Sequence, residues 1–365
     1  MNYKYDSRYA LVAVAVVFIY TKQRIIDNTK ERDILKNACV VGYGAVGPVH
    51  AYAISNTCYA NLYAVCDIDK KRAKSCADEY GCRVYYSFDE MLKDEKVDVV
   101  HICTPHYLHK EMVLKSLKNG KSVVLEKPVA LNRAEFNEIM DYVRRHDAFR
   151  RICVMMQNRT NNCIVKMKDI MQNDKSIGNL LGIVGMMNWH RDEAYYNHDE
   201  WRGKWNTEGG GIMINQAVHL LDMMLYFGGS VKKIHTNTNH WKIKNIEVED
   251  TAQALIEFEN GVNGVFQATN CYVTDEPYYL DLRFQNRHLR YADGFLYDIT
   301  TSGCDILAKD DSVKIGKSYW GNGHNNVVDS FYRSENGDNA EYTNISDAAA
   351  TMETLYCFYD GGSSK

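Results

Sequence analysis

The sequence predicts an α/β chain in two parts, a doubly wound parallel sheet followed by an antiparallel sheet with helices on one face. Three observations carry this. Short, continuously apolar runs alternate with helical stretches from residue 38 to about 150, as strands covered on both faces do. A glycine-rich turn, GYGAVG, directly follows the first of these runs and opens a helix. Beyond residue 230, β-rich runs follow one another with hairpin punctuation between them.

At 365 residues the chain is too long for one compact core, so it divides into a first domain over 37–150 and a second over 151–365. Residues 1–36 read as an N-terminal extension. Within it the apolar run 10–20 is long enough for a signal-peptide core but short of the roughly 20 residues that span a bilayer. A charged stretch, TKQRIIDNTKERD, follows it in place of a small-residue cleavage site, so no membrane association is expected. With 43 Lys and Arg against 47 Asp and Glu, the net charge of −4 argues against a general nucleic-acid binder. The 11 cysteines are odd in number and lack any CxxC pair, which suits reduced thiols in a cytoplasmic protein. No zinc-site spacing occurs, and no metal is expected.

In chain order, strands are expected at 38–42, 62–67, 97–103 and 122–126. Helices are expected over 70–80 and 108–119, each closed by a glycine, Gly81 or Gly120, where a left-handed C-cap belongs. Asn132 with Glu135 three residues on reads as a capping box opening a helix to about Arg145. In the second half a helix is expected over 216–226, and strands over 234–240, 251–259, 262–269 and 278–284. Asn260-Gly261 between two of these predicts a type I′ hairpin turn, in which both central residues take positive φ.

The chemistry begins at the first turn. In Gly42-Tyr43-Gly44-Ala45-Val46-Gly47 the first glycine permits the bend, the second lets backbone approach a pyrophosphate, and the third allows close helix packing. Asp67 ends the next strand 20 residues after Gly47, where an acid binds adenosine ribose hydroxyls. Its charge would repel a 2′-phosphate, so NAD is expected over NADP, although Lys70, Lys71 and Arg72 partly offset it. The next two strand ends carry Thr104-Pro105-His106 and Glu126-Lys127-Pro128, beyond the carboxyl edge of the sheet where ligands sit. From the dipeptide alone, Glu126-Lys127 reads equally as a solvated ion pair. A desolvated lysine beside a nicotinamide would instead hold a substrate hydroxyl.

After Gly209-Gly210-Gly211, the spacing of Asn215, His219 and Asp222 places all three on one helical face, with Leu221, Met224 and Leu225 turned to the core. A lone helical histidine is more often structural, but a polar stripe after three glycines points to a site. Gln157, Asn158, Arg159, Trp189, Arg191, Tyr195, Tyr196, Trp201 and Arg202 suit a ligand pocket, since aromatic faces stack on rings and guanidinium groups fork onto phosphates or carboxylates. The same aromatics equally serve as core or interface residues, and His50 and His106 have packing roles as their simplest reading.

The order of the glycine turn, CDxD, TPxxxH, EKP, GGG and NQxxHxxD over residues 38–285 resembles the Gfo/Idh/MocA family of nicotinamide-dependent oxidoreductases. The resemblance implies a Rossmann domain followed by an α/β domain with a large open, mostly antiparallel sheet. It implies Lys127 and His219 as the catalytic pair, with Pro128 cis. Gly42, Gly44, Ala45, Val46, Gly47, Asp67, Thr104, Pro105, His109, Glu126, Lys127 and Asn158 would then bind the cofactor. Asn215, Asp222, Arg159, Trp189, Arg191, Tyr196, Trp201 and Arg202 would meet substrate. Where many members have Asp four residues before the histidine, this chain has Asn215, which cannot accept the proton. The Asn-Gln-Ala-x-His version is similar to the branch of Wlb-type UDP-sugar 3-dehydrogenases. The expected activity is hydride exchange between a sugar, nucleotide-linked or not, and NAD(H). A free-sugar or inositol dehydrogenase and a catalytically silent cofactor-sensing regulator are the alternatives. An exposed antiparallel sheet face is expected to need a partner, giving a homodimer or homotetramer.

Overall fold

The computed structural model describes residues 35–312, 315–316 and 321–360, and the backbone of 363–364. The expectations for the extension before residue 35, including its apolar run, lie outside the described residues. Among the described residues, no helix is long and apolar enough to cross a membrane.

The first sheet contains β1 (Lys36–Val41), β2 (Ala60–Cys66), β3 (Arg83–Tyr85), β4 (Val99–Ile102), β5 (Ser122–Leu125) and β6 (Ile152–Val154). They are parallel throughout, in the order β3-β2-β1-β4-β5-β6. The switch point between β1 and β4 opens the crevice in which doubly wound folds bind ligands. Strand period 2 shows directly in the packing. Cys39, Val41, Val100, Ile102, Val123 and Leu125 enter one apolar cluster, while Ala38, Val40, Val99 and Val124 enter the other. Burial on both faces is why these runs lack polar alternation.

The connecting helices are α1 (Gly47–Asn56), α2 (Lys70–Tyr80), α3 (Phe88–Leu92), α4 (His109–Lys118) and α5 (Arg133–His146). Gly81 closes α2 in the left-handed region as expected, with φ +69°. At α5 only half of the capping box forms. Asn132 accepts from the Glu135 amide at 3.0 Å, while the Glu135 carboxylate accepts from Leu131 N rather than from Asn132 N. The boundary expected at residue 150 falls one strand early, since β6 completes the first sheet. The chain also returns to this domain. In α9 (Gly323–Glu335), Val327, Phe331 and Tyr332 share the cluster of Ala38 and Val40.

The second sheet runs β14-β13-β12-β11-β7-β10-β9-β8-β15. Its strands are β7 (Leu180–Asn188), β8 (Val231–Asn239), β9 (Thr251–Phe258), β10 (Asn263–Thr269), β11 (Tyr279–Phe284), β12 (His288–Ala292), β13 (Phe295–Thr300), β14 (Gly303–Lys309) and β15 (Ser363–Ser364). Every pairing is antiparallel except β7 with β10. One face carries α6 (Asn162–Asn173), α8 (Val218–Gly228) and α10 (Ile345–Cys357), with the short α7 (Glu193–Asn197) in the loop after β7.

Two local expectations are corrected. The β9–β10 hairpin is not type I′, because only Gly261 has positive φ, +83°. Gly261 N bonds Phe258 O at 3.0 Å and Phe258 N bonds Val262 O at 2.9 Å, a three-residue loop with glycine in the bulge position. Asn260 is held instead by its side chain, which donates to Gly228 O at the end of α8. The two-residue turn with both φ positive is Asp293-Gly294, between β12 and β13. The helix expected over 216–226 also starts earlier, as a π turn over Met213–Ala217 continuing into α8. Such turns are frequent at functional sites.

Candidate active site and cofactor cleft

The cofactor side is built by β1 and the start of α1. Gly42 takes φ +87°, and a Cβ there would stand 2.7 Å from Cys103 O on β4's exit loop. At Gly47 a Cβ would stand 2.4 Å from Gly42 O, so the turn closes on itself only with glycine at both places. Pro48 follows at the start of α1, and no acidic residue occupies its first turn. Asp67, 7% exposed, accepts from Tyr43 N at 2.6 Å and from Asp69 N at 2.7 Å. Its carboxylate is thereby fixed against the glycine turn.

From Ala45 and Val46 a cleft runs between the two sheets, the kind of interface position where ligand sites form. Glu126, Lys127, Asn158, Trp189, Arg191, Arg202, Asn215 and His219 line it, all of them residues marked out by the sequence. Lys127 Nζ donates to Asn215 O at 2.8 Å. Burial lowers the Lys127 pKa, opposed by the neighbouring Glu126. Burial, with the Lys127 charge next, lowers that of His219 to about 3. His219 is thus a neutral imidazole throughout the neutral range, and in this environment a weaker base than a free histidine. Its Nε2 lies 3.4 Å from Gln157 Nε2, a long contact with an amide donor. The Lys127–Pro128 bond is cis, as the resemblance implied.

Behind Glu126 lies a buried chain. His50 Nε2 stands 3.0 Å and His324 Nε2 3.5 Å from the same carboxylate oxygen. His50 Nδ1 meets His101 Nδ1 at 2.9 Å, and His101 Nε2 meets Tyr332 Oη at 2.8 Å. Neutral imidazoles satisfy this chain in one direction: Tyr332 donates to His101, His101 to His50 and His50 to Glu126. Burial pushes the Glu126 carboxyl up, but the bonds from His324 and His50 outweigh it and hold the group well below its usual range. Three ligand-type atoms within 4.8 Å is also the geometry of a metal site. Here the two imidazoles are accounted for as donors to the carboxylate.

On the opposite wall the arginines stack. Arg191 lies 4.9 Å from the Trp189 ring and 5.3 Å from that of Tyr195, and Arg202 lies 4.7 Å from Tyr195. Each is already paired, Arg191 with Asp275 at 2.8 Å and Arg202 with Asp199 at 2.7 Å.

Several expected residues stand elsewhere. Asp222 is 1% exposed and bound by Arg159 through two contacts of 2.8 and 2.6 Å, with Thr351 donating at 2.7 Å. One turn past His219, it ties α8 to α10, so neither Asp222 nor Arg159 lines the cleft. Tyr196 is buried with Ile243, Ile246 and Val248, and its hydroxyl accepts from Asn270. Trp201 packs on Arg202 and His106 outside the lining. His109, fully buried, lies between Pro128 O at 2.6 Å and Thr104 O at 3.0 Å and so braces the loops after β4 and β5. Gly42, Gly44 and Gly47 follow β1, Asp67 follows β2, and Thr104 and Pro105 follow β4; none of them is in the lining of this cleft.

Gln157, marked out by the sequence, also lines the cleft; the sequence reading missed Gln216, Tyr278 and His324 as lining residues, and Glu208 beneath them. Gln216 adjoins a flagged residue, and Glu208 directly precedes the three glycines. His324 gave no local signal, because α9 reaches the cleft only by folding back.

Residues 36–155 match the family description "Oxidoreductase family, NAD-binding Rossmann fold", and residues 164–287 match "GFO/IDH/MocA C-terminal domain". An uncharacterized oxidoreductase, YrbE, of Bacillus subtilis is 29% identical over 236 residues, 62% of this chain and 64% of that protein. Myo-inositol 2-dehydrogenase of Thermotoga maritima is 27% identical over 233 residues, 62% and 66% respectively. The matched stretch thus spans just under two thirds of each of these relatives. Among solved structures, the WlbA dehydrogenase of Bordetella pertussis, in complex with NADH and UDP-GlcNAcA, superposes with TM-score 0.75 at 22% identity, covering 89% of this chain and 95% of that one. At that identity the likeness speaks for the fold. The two domain matches together take in most of the sequence, and the chain belongs to the GFO/IDH/MocA family of oxidoreductases.

Proposed function

We propose that this chain is an NAD(H)-dependent dehydrogenase that oxidises a secondary hydroxyl of a sugar, free or nucleotide-linked, or of a cyclic polyol, or reduces the matching ketone. One observation carries it: Lys127 and His219 share the wall of a cleft that begins at the glycine turn of a dinucleotide fold. The cradle suits the cofactor, since the close backbone packing at Gly42 and Gly47 leaves the turn bare and Asp67 holds a fixed negative charge at the end of β2. When bound, the nicotinamide supplies the hydride chemistry.

The protein's part is orientation and the proton. Lys127, held on Asn215 O, directs an N–H at the reacting oxygen and offsets charge that develops there. His219, a neutral imidazole in the cleft wall, takes the hydroxyl proton in oxidation and returns it in reduction. The Gln157 contact at 3.4 Å is long enough for a substrate hydroxyl to replace it. The amides that Asp67 accepts pin its charge where a 2′-phosphate would be repelled, favouring NAD over NADP. The stacked Trp189, Tyr195 and Arg191 suit a sugar ring and an attached anionic group. The free cysteines suit a reducing compartment, the cytoplasm. On the open face of the second sheet, exposed Leu255 pairs across with exposed Val265, a surface suited to a second copy of the chain.

The test is nicotinamide absorbance with NAD or NADP against UDP-sugars, free sugars and inositols. NAD reduction with any of these supports the proposal, and the dependence on the UDP portion assigns the substrate class. Tight NADH binding without turnover in either direction overturns it in favour of a cofactor-sensing regulator.

A further inference from the structure

Glu208 plays no part in the chemistry just described, yet it is among the most enclosed charges at the cleft, 1% exposed. Both of its oxygens are used. Oε1 accepts from Asn215 Nδ2 at 2.5 Å and Oε2 accepts from Gly203 N at 2.5 Å. Its backbone carbonyl faces His106 Nδ1 at 2.8 Å, which ties the residue to the loop after β4.

An amide side chain in a cleft has two orientations, and a neighbouring carboxylate chooses between them. Turned one way, Asn215 donates N–H to Glu208; turned the other, Oδ1 would face a carboxylate oxygen, acceptor against acceptor. With Nδ2 committed to Glu208, Oδ1 is left for the cleft that Asn215 lines. The Asn215 backbone carbonyl is already taken by Lys127 at 2.8 Å. The residue therefore orients the lysine with its main chain and offers the ligand an acceptor with its side chain.

Resting on the dehydrogenase reading above, we propose that Glu208 is a positioning residue that locks Asn215 as a hydrogen-bond acceptor, making the site demand a free hydroxyl on the carbon beside the one oxidised. Asn215 and His219 line the same cleft about one turn apart on the helix. A ring whose reacting hydroxyl meets His219 and Lys127 turns its neighbouring substituent to Asn215. A hydroxyl donates to Oδ1; a deoxy, methoxy or fluoro substituent cannot, and leaves a desolvated acceptor unpaired. The substrate class is thereby narrowed to vicinal diols.

The experiment uses the full chain at pH 8 with NAD. The probes are methyl α-D-glucopyranoside, myo-inositol and UDP-N-acetylglucosamine, with the analogue deoxygenated beside the reacting carbon for whichever is oxidised. Glu208→Gln keeps the size but leaves one acceptor oxygen for two donors. It is expected to raise KM at least tenfold with kcat within about threefold and NADH affinity unchanged. Asn215→Ala is expected to show the same KM rise, and to lose nothing further on the deoxy analogue, whereas the wild type loses at least tenfold there. An unchanged KM in folded Glu208→Gln overturns the proposal. If that variant does not fold, an unchanged KM in Asn215→Ala, or equal use of the deoxy analogue by the wild type, overturns it. A wild type that binds NADH yet neither oxidises any probe with NAD nor reduces the matching ketones with NADH refutes the dehydrogenase reading itself, and this inference with it.

Discussion

His219 and Asp222 lie three residues apart on one helix and have opposite fates. The first lines the cleft with Lys127; the second is neutralised by Arg159 before any ligand reaches it. Replacing His219 with Asn should lower turnover by about 10²–10⁴-fold, the usual worth of a general acid/base, with NADH affinity little changed when followed by fluorescence titration. Asp222→Ala strips Arg159 of its buried partner and should cost about 3–5 kcal/mol in urea unfolding, because the guanidinium is left uncompensated. The surviving folded fraction should keep a normal KM, since Asp222 stands outside the cleft. A large KM change with little loss of stability would return Asp222 to the binding set. Both residues were legible as polar positions in the text. Which of them faced ligand was not, because that turned on Arg159, 63 residues away.

At the scale of elements, two turns govern the site. The β1–α1 turn tolerates no side chain at Gly42, so Gly42→Ala should combine a left-handed strain with a backbone clash, a loss of about 1–3 kcal/mol. NADH binding should weaken with it; unchanged affinity and Tm would show that the turn can relax. The second is the loop into the π turn, where Glu249 accepts from Gly211 N at 2.9 Å, Met213 N at 3.1 Å and Tyr359 Oη at 3.0 Å. Burial nevertheless pushes the Glu249 pKa up to about 7 and that of Glu208 up to about 6. The folded state therefore binds these protons more tightly than the unfolded chain. The associated stability is fully present below about pH 4.5 and is lost as pH rises through 6 and 7. For Glu249 this is on the order of 3 kcal/mol. The contribution of Glu249 to the urea midpoint, compared with Glu249→Gln, should fall between pH 5 and pH 8. A difference between the two proteins that does not change with pH would show that the carboxyl titrates normally.

For the whole molecule the outstanding feature is the uncovered face of the second sheet. Leu255 and Val265, paired on adjacent strands, are 60 and 45% exposed on the side away from α8, which the neighbouring Gly264 faces. If this face joins two copies, Leu255→Asp should shift the mass in sedimentation or light scattering toward the monomer and leave the secondary structure intact. A wild type that is monomeric at micromolar concentration would dispose of the pairing.

The alternation of apolar runs with glycine-closed helices determined the first domain by itself, because strands buried on both faces and left-handed caps are local demands that few residues meet. The glycine turn, Asp67, Lys127 and His219 were legible for the same reason: each sits at a strand end or in a short motif whose spacing encodes its place. Tertiary structure alone decided the rest. The hairpin at Asn260-Gly261 changed type because Asn260 is anchored to the end of α8, while Asp293-Gly294 took the I′ turn. His324 entered the cleft, and Tyr332 the histidine chain, from a helix that returns to the first domain across the length of the second. Glu208 acquired its meaning from one amide seven residues on, through a side-chain bond that no periodicity records. Contacts between distant segments follow from packing, and packing is settled only when the whole chain has found its core.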